Sequence, residues 1–286
     1  VRSRVSHPPF VRYTPGSTSL SIDMLPITTP GQCLRAGGMA ERFPDQDTDP
    51  PEAVAFTHRW YRRFLQELRA NGYRFRSFSA SLGDGDVVLR HDIDLSIDAA
   101  VTMARIEAYL GIESTYCVLL TSPLYNPNEA THREALQTIE SLGHDVTLHF
   151  STHQYWPAEA PPSTSEIANR VNEERSILET IVTPSETVSF HAPPSWILNR
   201  EFDEFTNVYA PQFFDDIGYV ADSGQRWREE QPVPESLSAS VQILAHPGLW
   251  AQTDGSFTDR VIAATEASCT HADHVARNQF LDGGSL

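Results

Sequence analysis

The chain contains no lysine. All 21 basic residues are arginine, set against 38 acidic ones over 286 residues, for a formal charge of −17. Such a balance leaves no basic face, so neither nucleic acid nor an anionic membrane is expected as a partner. The absence of lysine itself is a composition bias, of the kind a GC-rich or salt-adapted proteome produces. Cysteine is almost as scarce: Cys33, Cys117 and Cys269 are odd in number and far apart, with no C-x-x-C among them. Neither a disulfide framework nor a thiolate zinc site follows from that pattern, and a reducing, cytoplasmic setting fits it. No apolar run approaches the ~20 residues that span a bilayer. The opening residues VRSRVSHPPF carry no apolar stretch of the kind a secretory signal needs.

What is present falls into two regions. Residues 1–50 are rich in Pro, Gly, Ser and Thr, as in TPGSTS and PDQDTDPPE, and read as an irregular arm. A folded domain is expected over 51–286. It opens with a helix from Pro51 to Asn71-Gly72, with Phe56, Trp60, Phe64 and Leu68 as its apolar stripe. Short apolar runs then alternate with helical periods. Strands are expected at 86–90, STYCVLL, 144–150, TVSF, GYVAD and VQILAH. Helices are expected at IDAAVTMARIEAYLGI, NEATHREALQTIESLG and SEIANRVNEERSILETI, the last capped near Ser165, and a closing helix over 257–281. Strand–helix alternation on this scale predicts a parallel α/β architecture.

Nearly every expected strand ends in an ionisable residue: His91-Asp92-Ile93-Asp94, then His149, His191, Asp222 and His246. In a parallel barrel these ends converge on one face, where active sites form. Asp92 and Asp94, two apart, face one side of an extended chain. Two close carboxylates repel unless a cation or a proton lies between them. His149 and His153 have the i, i+4 spacing of metal ligands. With one carboxylate they make a two-His, one-Asp set that leaves positions open for water and substrate. His144, at the far end of its strand, and His91, which points opposite Asp92, read as structural.

The order LRHDID, GHDVTLHFSTH, VSFHAPP, YVADSGQRW and LAHPGLW resembles the polysaccharide deacetylases, the NodB-like carbohydrate esterases of family four, in the branch whose first motif reads R-H-D-[VI]-D. The resemblance spans roughly Asp86 to Trp250. It implies a distorted (β/α) barrel of about seven parallel strands. It also implies Asp92 as catalytic base, Asp94, His149 and His153 as metal ligands, Asp222 with Arg226 and Trp227 in the fourth motif, and His246 as general acid. The family's third motif carries an arginine that holds the catalytic carboxylate. This chain has His191-Ala192-Pro193-Pro194 there, so Arg90 or Arg226 must compensate.

The chemistry stands without the resemblance. Amide hydrolysis needs a nucleophilic water, an electrophile for the carbonyl oxygen and a proton for the leaving amine. Asp92 can serve as base and His246 as acid, with Asp222 or Arg226 orienting them. Tyr125, His191, Trp227 and Trp250, with Trp196, are the candidates for substrate contact. Two His and one Asp fit zinc first, and iron, cobalt or nickel use the same ligands. The expected function is removal of an N-acyl group, N-acetyl first, from an amino sugar or sugar conjugate. The alternatives are hydrolysis of another non-peptide C–N bond at the same site, or a sugar-binding protein that retains the barrel. Oligomeric state leaves no mark on the sequence.

Overall fold

A computed structural model describes residues 54–281. The expected arm, and Cys33 within it, lie outside the described residues.

The first helix, α1 (His58–Ala70), starts seven residues later than Pro51. The Thr57 hydroxyl accepts from the Trp60 amide at 3.2 Å, the bond that satisfies an otherwise orphaned donor at a helix start. Its buried stripe is Tyr61, Phe64, Leu65 and Leu68, with Phe56 lying before the helix. Then follow β1 (Arg74–Arg76), β2 (Asp86–Ile93), α2 (Ile97–Tyr109), β3 (Thr115–Val118), α3 (Ala130–Ser141) and β4 (Asp145–Phe150). After a short 3-10 turn at Thr152–Gln154 come α4 (Thr164–Leu178), β5 (Thr187–Phe190), β6 (Thr206–Asn207), α5 (Pro211–Phe214), β7 (Gly218–Ala221), β8 (Val241–Ala245) and α6 (Phe257–Ala276). Ser163, not Ser165, caps α4, because it forms a reciprocal capping box with Glu166.

All strand pairs are parallel, in the order β6-β5-β4-β3-β2-β8-β7, with β1 joined to β2 as a side branch. The result is a curled, distorted (β/α) barrel with seven strands on one path, parallel as the alternation predicted and of the strand number that the resemblance implied. No β6–β7 pairing closes it among the described residues. The central strand β2 is buried along its whole length, including its ionisable residues Asp86, Arg90, His91 and Asp92. Registers bring Asp92 beside Cys117, His149 beside Ser189 and Ala221 beside Leu244. Cys117 is buried and Cys269 exposed, and both are free thiols. No helix among the described residues is long and apolar enough to cross a membrane.

Candidate metal centre and active site

Register and pleat together place the strand ends. Along β2, alternate residues face opposite sides. Arg90, Asp92 and then Asp94 point to the open end of the barrel, and His91 points to the helix layer. A cavity of about 480 Å³ lies at that open end, lined by Asp92, Asp94, His149, His191, Arg226 and His246 among others.

The donor atoms that gather within 4.8 Å of one another are those of Asp94, His149 and His191. Asp94 Oδ1 is 3.3 Å from His149 Nε2 and 3.2 Å from His191 Nδ1, and the two histidine nitrogens are 3.3 Å apart. His153, expected as the third ligand, is not in this cluster. It lies on the turn that leaves β4, and its Nε2 donates to the Ala192 carbonyl at 2.8 Å. His191, expected to touch substrate, takes the third place because β5 is paired with β4 and delivers it beside His149. His153 instead ties down the turn after His191, where Ala192 has a φ of 42°.

The hydrogen bonds around His149 test whether this set suits a cation. Ser189 Oγ donates to Asp92 Oδ1 at 3.0 Å, so it must accept from His149 Nδ1, 2.9 Å away. A neutral His149 therefore aims the lone pair of Nε2 at the Asp94 carboxylate. Two acceptors facing each other at that distance need a proton or a metal ion between them. A histidine whose second nitrogen is fixed by an outer hydrogen bond is the usual form of a metal ligand. The donor set fits a divalent ion of the zinc type.

Asp92 is held on the other side. Arg90, wholly buried, donates to Asp92 Oδ2 at 3.1 Å, to Gln242 Oε1 at 2.9 Å and to the Tyr209 hydroxyl at 2.8 Å. Its guanidinium also lies 4.7 Å from the Tyr209 ring centre. Burial alone would push Asp92 up, but the Arg90 charge, joined by those of His149 and His246, outweighs it and keeps the carboxyl below the usual range. Of the two arginines expected to brace this carboxylate, Arg90 is the one in contact with it. Burial likewise pushes Asp94 up, and hydrogen bonds with His149 and His191 overcome it and hold it far below.

His246 faces the cluster from β8, with Nε2 3.7 Å from Asp94 Oδ2. Its Nδ1 is 2.6 Å from Asp222 Oδ1, and its backbone amide also donates to Asp222. Trp250 Nε1 donates to the second Asp222 oxygen at 2.8 Å. Burial opposes protonation of His246, but the Asp222 carboxylate prevails and moves the imidazole up to about 9.

Several expected contacts lie elsewhere. Trp227 and Trp250 are buried in an aromatic cluster with Trp60 and Phe64, so neither offers a ring face to a ligand. Tyr125 is buried too, its hydroxyl donating to the Ile93 carbonyl at 2.5 Å. Trp196 Nε1 donates to the Ala158 carbonyl. Asp222 is fully buried and is hydrogen-bonded to His246. Arg226 lines the cavity, but the hydrogen bond of its side chain goes to the Ser223 carbonyl, not to Asp92 or His246. The cavity wall is made instead by Phe190, Leu198, Tyr209, Phe214 and Tyr219. Ser189, Tyr209 and Gln242 were not foreseen; each has a sequence signal only through the partner it serves.

No family model matches the chain, and no curated protein matches it. Among solved structures it is similar to a family 4 carbohydrate esterase from Streptococcus mutans, at 12% identity and a TM-score of 0.40, over 81% of this chain and 90% of that one. It is similar to a family 4 carbohydrate esterase from Bacillus anthracis, at 12% identity and a TM-score of 0.38, over 74% and 86%. A family 4 pseudoenzyme from Bacillus anthracis is also similar, at 15% identity and a TM-score of 0.37, over 65% and 60%.

Proposed function

We propose that this protein is a metal-dependent hydrolase that removes an N-acyl group, N-acetyl first, from an amino sugar or sugar conjugate. One observation carries the reading. A donor triad of Asp94, His149 and His191 lies between a carboxylate braced by arginine, Asp92, and an imidazole braced by carboxylate, His246. A divalent cation held by that triad would lower the pKa of bound water from 15.7 towards ~7 and polarise the acyl carbonyl.

The remaining work falls to side chains of this chain. Asp92, kept ionised by Arg90, accepts the proton of the attacking water. His246, protonated at neutral pH, presents Nε2–H to the leaving nitrogen. Asp222 fixes the ring so that Nε2, not Nδ1, faces the cavity. The C–O bond forms first, as water adds to the acyl carbon and Asp92 takes its proton. The C–N bond breaks as the tetrahedral adduct collapses and the His246 proton moves to nitrogen, so the amine leaves neutral. General acid–base assistance of this kind contributes about 10²–10⁴-fold. The apolar wall by Phe190 and Leu198 excludes bulk water from the acyl end.

The test is acetate release from N-acetyl amino sugars by the zinc-loaded protein, compared with Asp92→Asn. Acetate from the parent, with at least a hundredfold loss in Asp92→Asn, is expected. No acetate from any such sugar, with metal bound stoichiometrically, would leave the site without this function.

A further inference from the structure

The turn after β7 presents Arg226 in an unusual way. Between Asp222 and Arg228 the backbone passes twice through the left-handed region, at Gly224 (φ 63°) and Gln225 (φ 60°). Glycine takes this conformation freely, whereas a non-glycine residue there is strained and persists only where its surroundings hold it. Gln225 is held. Its Nε2 donates to the Gly255 carbonyl at 3.0 Å, its Oε1 accepts from Arg228 Nε at 3.0 Å, and the side chain is buried. On the other flank Trp227 is locked into the aromatic cluster. Arg226, between two anchored neighbours, is left to line the cavity mouth beside Ser223 and Gly224.

Charge sets Arg226 apart from the rest of the cavity. Arg90 is matched by Asp92, and His246 by Asp222. Asp94 faces His149 and His191. Among the described residues no carboxylate pairs with Arg226, and it is the one arginine in the cavity lining. The chain around it has a formal charge of −17, a field that repels anions. An anionic ligand would reach this mouth only with a local cation to receive it. The guanidinium fork suits a group with two oxygens, carboxylate or phosphate, held bidentately. In the same cavity, Tyr209, Phe214 and Tyr219 offer an apolar and aromatic surface to the uncharged part of the ligand.

We propose that the substrate is anionic, an N-acyl amino sugar or conjugate bearing a carboxylate or phosphate that Arg226 binds. The N-acyl sugar identity rests on the hydrolase reading above; the preference for an anion rests on Arg226.

Calorimetric binding to the zinc-loaded protein tests this with three probes: N-acetylglucosamine, its 6-phosphate, and N-acetylmuramic acid, which carries a carboxylate. One or both anionic sugars should bind about tenfold or more tighter than the neutral one, the advantage of a charge-assisted pair. Which of them gains identifies the anion. Arg226→Gln should bring the ratio of anionic to neutral affinity close to one, and Arg226→Lys should retain part of it. Should Arg226→Gln fail to fold, salt gives a second measure on the parent, because raising it should erode the anionic advantage alone. Equal binding of all three sugars, no binding of any at millimolar concentration, or a ratio that survives Arg226→Gln or high salt would overturn the proposal. Acetate release from the same sugars separates it from the hydrolase reading. Anion preference without acetate retires the hydrolase and keeps the anion site. Acetate at equal efficiency from all three, with no anion preference, does the reverse.

Discussion

The two faces of β2 carry the same chemistry and put it to different ends. On the helix face, His91 Nε2 meets Glu107 Oε1 at 2.7 Å. The Tyr61 hydroxyl donates to the same oxygen, and the Ser114 and Tyr116 hydroxyls donate to the other. His144 bonds Ser114 through Nδ1 and the Ala104 carbonyl through Nε2. Every member is buried, and Glu107 has as many donors as its oxygens can accept. On the cavity face, Asp94 Oδ1 bonds His191 Nδ1 at 3.2 Å and lies 3.3 Å from His149 Nε2, and its side chain is 22% exposed. Both faces join carboxylate to histidine. What separates the two is access: the helix-face cluster is buried throughout, whereas the cavity-face cluster lines a cavity that a ligand can enter.

The sharpest way to break that comparison is to remove donors on the cavity face. His149→Ala and His191→Ala should each lose bound zinc, measured by elemental analysis, while His153→Ala should weaken it only about 10–100-fold, as outer partners do. Stoichiometric zinc in His191→Ala, with loss in His153→Ala, would return the third ligand to the H-x-x-x-H spacing. Next comes Asp92→Asn, which should keep metal and fold, with a lower melting temperature because buried Arg90 loses its counter-charge, yet lose about 10²–10⁴ in kcat. On the opposite face the effects should reverse. Glu107→Ala leaves His91 and His144 without their carboxylate and should lower unfolding stability by about 3–5 kcal/mol in urea titrations. Molecules of that variant that remain folded should bind metal as the parent does.

The smallest effect expected is on pH. Burial would raise Glu107, but the His91 charge and the hydrogen bonds from His91 and Ser114 hold it below its ordinary 4.5. A carboxyl lowered in the folded state adds stability above its unfolded value. That stability fades as pH drops through the lower folded one. The groups facing it are His91, His144, Tyr61, Tyr116 and Ser114. Urea midpoints from pH 6 to 3 should therefore fall less steeply in Glu107→Gln than in the parent. Parallel slopes would show that this carboxyl is not among the groups behind acid unfolding.

Much of this was readable in the chain before any coordinates. Strand ends were marked by abrupt passage from apolar to ionisable residues, and the two-residue period separated Asp92 from His91. The third member of the donor cluster was not readable, because H-x-x-x-H is a helical spacing and the chain after His149 enters a short 3-10 turn instead. His191 gave no local signal, since its proximity depends on β5 pairing with β4. Arg90 was readable as a partner only by its sharing a strand face with Asp92. Trp227 and Trp250 misled because an indole suits a sugar and a core equally well, and only the position of α1 decides between them. Strands β1 and β6, of three and two residues, are too short to show a period.

The strand order has a consequence for how the site is assembled. β2, β3, β4 and β5 are neighbours both in sequence and in the sheet, so Asp94, His149 and His191 can come together from one contiguous stretch. The other neighbour of β2 is β8, which arrives roughly 150 residues later and closes a long loop, a slow event in folding. A nascent chain that ends before β8 thus holds every cation donor, but neither His246 nor the Gln242 that steadies Arg90. The donors proposed to hold a metal are made early in synthesis, together with Asp92, and the imidazole proposed as the acid is withheld until the last strand has entered the sheet.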